Sequence, residues 1–127
     1  MENLTENKIL KVIKSGENLL ISTHSKLSLP ILNRIYKKMM NGILFDYIKV
    51  CDNLIIDGHH RYVSSLCAGV AIGKVKSSTT SATKEYDWSD VEFVEEEWDT
   101  ERKIRHLNEL DAKYNDTTVE EIIKMIE

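Results

Sequence analysis

Apolar residues recur along this chain at helical and strand spacings, and the changes between the two mark its elements. Ile9, Leu10, Val12 and Ile13, set among lysines, predict a short amphipathic helix over 4–15 that Gly16 ends. Leu19-Leu20-Ile21-Ser22 reads as a short strand. Ile31, Leu32, Ile35, Met39 and Met40 then follow helical spacing, from Ser28-Leu29-Pro30, where a proline stands near the helix start, to Asn41-Gly42. Tyr47-Ile48-Lys49-Val50 and Leu54-Ile55-Ile56 flank the turn pair Asp52-Asn53, so a β-hairpin is expected. A helix over 60–69 follows and closes on Gly69. Ala71 to Lys76 is expected as another strand of the same sheet.

Ser77 to Thr83 is almost all Ser and Thr, without apolar period or charge, which predicts a surface loop or a hydroxyl-rich lip over a ligand. Tyr86 to Val94 alternates loosely, as a strand does. Asp99-Thr100 caps a long helix with Ile104, Leu107 and Leu110 as its apolar stripe, and Thr117-Thr118 with Glu120-Glu121 opens a last helix through Ile122, Ile123 and Ile126. The interleaving predicts an α/β (α+β) fold: a small mixed sheet with helices packed around it, plus two C-terminal helices.

With 127 residues and 42% hydrophobic content, a single domain over 1–127 is expected, with a core over about 19–76 and an acidic helical tail over about 98–127. No apolar run approaches the roughly 18 residues of a membrane span, and the first residues lack a signal-peptide layout, so a cytoplasmic protein without membrane contact is expected. Cys51 and Cys67 have neither disulfide-scaffold nor zinc-ribbon spacing and read as small buried core residues.

The net charge of −4 conceals a division. Residues 1–84 hold 12 Lys and Arg against 6 Asp and Glu, whereas residues 85–127 hold 5 against 15. A basic front suits a nucleotide or nucleic-acid ligand, and the acidic Glu95-Glu96-Glu97 segment would repel a long duplex. The acidic C-terminal helices are candidates for docking a protein partner.

Between the two expected elements at 54–56 and 60–69 lies Asp57-Gly58-His59-His60-Arg61-Tyr62, a strand-to-helix turn with the makings of an anion site. Gly58 permits a sharp turn, and free N–H groups with the helix dipole favour a phosphate. Arg61 can clamp phosphate oxygens or pair with Asp57. His59 can act as general acid or base, and His60 can donate to a phosphate oxygen. Asp57 can orient a histidine, bind a divalent ion or stabilise the turn. A metal site from His24, His59 and His60 is disfavoured, because adjacent histidines point apart.

The turn, with Ser25-Lys26-Leu27-Ser28 ahead of the second helix and Gly42 ahead of the hairpin, resembles the ParB/sulfiredoxin superfamily over roughly residues 19–76. There a Gly-x-x-Arg turn cradles nucleotide phosphates. The resemblance implies ATP or CTP as ligand, Mg²⁺ as an accompanying ion, and Lys26, Ser28 and Asn33 as further phosphate or ribose contacts. His59 stands where sulfiredoxins carry a nucleophilic cysteine, which argues against a sulfinic-acid reductase. No helix-turn-helix domain follows, as it does in partition proteins. The DGHHR spelling is similar to ParB-like nuclease and toxin-type modules, so cleavage of phosphodiester or phosphoanhydride bonds is one expectation. A non-catalytic nucleotide switch or interaction module is the other.

Overall fold

The computed structural model describes residues 2–127. Among them are five α-helices and two small sheets, a mixed α/β fold in which no sheet closes into a barrel. No helix among the described residues is long and apolar enough to cross a membrane.

Helix α1 (Glu6–Ser15) is capped by the Thr5 hydroxyl and stops at Gly16. It starts later than the apolar pattern, because buried Leu4 is tied through its N–H and C=O to the Asn33 side chain. Helix α2 (Leu29–Met40) is capped by Ser28, with Pro30 in its first turn, where a missing N–H costs nothing. The expected hairpin is present as β2 (Ile48–Cys51) and β3 (Leu54–Asp57), with Asp52 in the left-handed region at φ 52°. Helix α3 (His59–Ala68) leaves β3 after one residue, Gly58.

Several expected strands are shorter or different. Leu19 to Ser22 is not a strand: only Ile21 and Ser22 form isolated bridges, to Leu54 and Tyr86. The cause is the partners of Leu20, whose N–H donates to the Tyr62 hydroxyl and whose C=O accepts from the Trp88 indole, so side chains replace a ladder. The 71–76 segment contributes only Lys74–Lys76, paired parallel to β2. The 86–94 segment breaks into the Tyr86 bridge, a 3₁₀ turn at Trp88–Asp90 and a strand, Glu92–Val94, which pairs parallel with an unexpected strand, Lys26–Ser28. In chain order Lys26–Ser28 is β1, Lys74–Lys76 is β4 and Glu92–Val94 is β5. The sheets are therefore β1-β5 and β3-β2-β4 rather than one. Residues 77–83 contain no strand or helix, and Cys51 and Cys67 are only half-buried.

The main core brings together Ile9, Leu27, Leu32, Ile48, Ile55 and Val63, each fully buried and each worth about 1.5–3 kcal/mol of apolar transfer. Helices α4 (Glu101–Tyr114) and α5 (Val119–Ile126), capped by Thr100 and Thr118, carry a separate small core of Ile43, Ala112 and Ile122. Helix α5 packs on both α2 and α4, while α2 and α4 have little direct contact. An open cleft between those two helices results, with the start of α3 at its side.

Candidate functional site

The turn at Gly58 is built by sterics. Its φ is +99°, and a Cβ there would lie 2.5 Å from Ile48 Cγ2, so the strand can pass into α3 only without a side chain. No side chain caps α3, and the first internal bond runs from Tyr62 N–H to the Gly58 carbonyl. Among the described residues nothing accepts the N–H groups of His59, His60 or Arg61. These three donors stand at the positive end of the helix dipole, where an anion is favoured.

The two histidines are both turned back into the fold. His59 is 2% exposed, and its Nε2 accepts the Thr23 N–H at 3.0 Å. His60 Nε2 accepts the Ser28 N–H at 2.9 Å. Together they pin both ends of the segment 23–28. Within it the His24 ring stacks on His59 with centroids 3.8 Å apart, while His60 meets Trp98 edge-on. Burial pushes the His59 pKa down to about 3 and His60 to about 4, with the His24 charge acting in the same direction. Both rings are thus neutral near pH 7. As Nε2 accepts in each, the proton sits on Nδ1, and His59 Nδ1 has no partner although it is buried.

Arg61 is committed in part. Its Nη1 donates to the carbonyls of Asp46 and Tyr47 at 3.0 and 3.1 Å, and its Nη2 pairs with Asp57 at 3.4 Å. Asp57 touches no histidine by hydrogen bond; it holds Arg61 across one turn. Asp57, Gly58, His59, His60 and Arg61 all line the cleft. Lys26, Ser28 and Asn33 do not. Lys26 is exposed on β1, Ser28 is fully buried between the α2 cap and the Glu96 carbonyl, and Asn33 bonds Leu4 and the Leu29 carbonyl. The last two are spent on the fold. No three His, Cys, Asp or Glu side chains among the described residues form a metal-binding group.

The cleft has a volume of about 990 Å³ and a mainly apolar lining. Two helices supply matching rows: Ile31, Arg34, Ile35 and Lys38 from α2, and Ile104, Leu107, Asn108 and Asp111 from α4. Each row has the i, i+3, i+4, i+7 spacing of one helix face. Lys38 and Asp111, the last of each row, pair at 2.7 Å. Arg34 forks onto Glu97 and also reaches Asp99, which Lys103 meets from α4. The Arg34 fork holds the Glu97 carboxyl below the usual range. The Asp99 carboxylate favours protonation of His60 while Arg34 and Lys103 oppose it, so this ion-pair cluster acts on the start of α3 with charges of both signs.

Arg34, Lys38, Trp98, Lys103 and Asn108 were not candidates on sequence alone. The α2 row carried a readable sign, two cations interleaved with two isoleucines on one face, whereas the role of α4 depended on a packing that no local pattern states.

No protein-family model, curated protein or solved structure matches this chain.

Proposed function

We propose that this domain binds a nucleotide in the α2–α4 cleft and acts as a binding module, with the phosphates on the first turn of α3 and the base between the apolar walls. One observation carries this: the first three residues of α3, whose N–H groups have no partner, line a cleft of about 990 Å³. That volume falls within the roughly 300–1,000 Å³ of small-molecule sites. Arg34, Arg61 and Lys103 line the cleft as members of ion pairs with Glu97, Asp57 and Asp99, from which a phosphate can recruit a guanidinium or ammonium, and Trp98 and Tyr114 offer rings to a base. The likeness of the Asp57–Arg61 turn to ParB/sulfiredoxin phosphate turns supports the same placement.

Binding is favoured over hydrolysis by the state of the histidines. A general acid must carry a proton that it can give up near neutrality, and both rings are held neutral with Nε2 engaged by backbone. Mg²⁺ bound with a nucleotide needs only one or two carboxylates besides phosphate oxygens. Asp57 and Asp46 line the cleft and fit that need, although Asp57 is shared with Arg61 and Asp46 accepts the Tyr47 N–H.

A thermal-shift series with tripolyphosphate, ATP, CTP and GTP, with and without Mg²⁺, tests the proposal. A ligand at 100 times its Kd adds about 2.7 kcal/mol of apparent stability. Lys103→Gln, at an exposed position, should weaken binding while leaving the unliganded midpoint almost unchanged. If none of these ligands moves the midpoint, the proposal fails. Phosphate release under saturating ATP or CTP would replace the binding module with an enzyme.

A further inference from the structure

Of the three histidines that line the cleft, only His24 has an exposed and unengaged ring. Its backbone is fixed by buried Ser22, whose hydroxyl accepts the His24 N–H at 3.1 Å and donates to the His24 carbonyl at 2.7 Å. Its side chain makes no hydrogen bond among the described residues. The ring instead lies flat on that of His59, the first residue of α3, with centroids 3.8 Å and planes 11° apart. Two rings in this contact take up at most one proton between them, because two imidazolium charges so close repel. His59 is closed to that proton, since its Nε2 accepts the Thr23 N–H and its side chain is out of water. The proton falls to His24, whose charge can rest on the neutral His59 ring as a cation rests on an aromatic face. His60 is held neutral in the same way by Ser28. The other charged groups of this corner are Arg61 and Asp57 at the turn, Arg34 on α2, Asp99 ahead of α4 and Lys103 on α4, and each already has an opposite charge as its partner.

We propose that the imidazolium of His24 contacts a phosphate oxygen of the bound ligand, so that binding takes up a proton and tightens as the pH falls from 8 to 6. This rests on the placement of the phosphates at the start of α3. A negative charge beside an imidazole favours its protonated form, and by reciprocity the protonated form holds the anion more tightly. Arg34, Arg61 and Lys103 must give up a carboxylate in order to meet a phosphate, whereas His24 gives up no partner. The cleft thus holds its ligand in mildly acid surroundings and releases it in mildly alkaline ones.

Titration calorimetry of the full chain with tripolyphosphate and with ATP, at pH 6.0, 7.0 and 8.0, tests this. His59 and His60 stay neutral over that range, and the ligands' own titration is common to every variant, so differences between variants isolate His24. From pH 8.0 to 6.0 the wild type should gain about tenfold more affinity than His24→Gln, the factor that one charge-assisted hydrogen bond supplies. His24→Lys carries its charge at every pH, so it should bind more tightly than His24→Gln at pH 8.0 and show a shallower pH dependence than the wild type. That variant also covers the case of a glutamine variant that does not fold. His106, on α4, does not line the cleft, and His106→Gln should behave as the wild type. Equal pH dependence in the wild type and His24→Gln, or in the wild type and His24→Lys, would overturn the role of His24. Failure of both ligands to bind the wild type at every pH would overturn the phosphate site itself, and this role with it.

Discussion

The backbone N–H of Thr23 donates to His59 Nε2 at 3.0 Å, and this bond makes the residue with the best credentials as a proton carrier into a tie between α3 and the segment before β1. The Thr23 hydroxyl continues the link to the Ile55 carbonyl at 2.6 Å. His60 repeats the device on Ser28. A protonated ring could not accept either N–H, so the fold requires both histidines neutral.

That requirement sets a pH dependence. In the unfolded chain each histidine takes up a proton near pH 6.5, whereas in the folded chain the values are about 3 and about 4. Between these limits the unfolded state binds more protons, so stability falls as the pH is lowered from 6.5. Each histidine contributes a slope of up to about 1.4 kcal/mol per pH unit. Urea unfolding at pH 7.0, 6.0 and 5.0, above the main carboxylate transitions, should show this loss. His59→Gln retains an acceptor that does not titrate and should remove about one proton from the slope. A flat profile in the wild type would mean that the rings are not held neutral.

Gly58 should be the least replaceable glycine. At Gly58→Ala the left-handed backbone strain combines with a Cβ 2.5 Å from Ile48 Cγ2 and 3.0 Å from Arg61 Nη2, for a loss of about 2–4 kcal/mol. Gly69 has φ +70° but nothing within 4 Å of an added Cβ, so Gly69→Ala should cost only about 1 kcal/mol. Denaturant midpoints of the two variants separate crowding from strain, and equal losses would contradict the close approach at Ile48.

Features written in local pattern were legible in the sequence. Helix α2, the hairpin, the Gly58 turn into α3 and the caps of α4 and α5 each follow from spacing and a few marker residues. What escaped depends on distant partners. The β1–β5 pair joins three-residue strands whose aligned residues are 66 positions apart, as Leu27 and Phe93 are, and neither strand is long enough to show a period. The His-His pair was conspicuous, but its bonds to Thr23 and Ser28 cross 36 and 32 residues, so a structural tie had the same local spelling as a proton carrier. Ser28 and Asn33 likewise have polar side chains that only the assembled fold shows to be engaged.

The apolar stripe of α4 reads as core in sequence but faces the cleft. Leu110 is 48% exposed, whereas Ile122 on α5 is fully buried in the small core with Ile43 and Ala112. Leu110→Gln should change stability by no more than about 0.5 kcal/mol, while Ile122→Ala should cost about 2–4 kcal/mol. Chemical denaturation of both distinguishes the two roles. A large loss at Leu110 would place α4 against the core and close the cleft.

Lys38 and Asp111 provide the direct electrostatic link between the cleft walls. The Lys38 side chain is 5% exposed and that of Asp111 19%, so removing the carboxylate strands a nearly buried ammonium. Asp111→Ala should therefore cost about 2 kcal/mol, below the full 3–5 kcal/mol of a wholly buried pair because water still reaches the aspartate. Lys38→Met leaves the more exposed partner and should cost less. Together the two changes remove both charges and leave apolar groups facing each other, so the double variant should recover part of the loss. A double-mutant cycle by urea unfolding should give a coupling of about 1 kcal/mol or more, and strict additivity would show that the pair does not hold α4 to α2. The same cycle bears on the cleft: if the pair sets the spacing of its walls, the double variant should bind ATP more weakly even where its stability is restored.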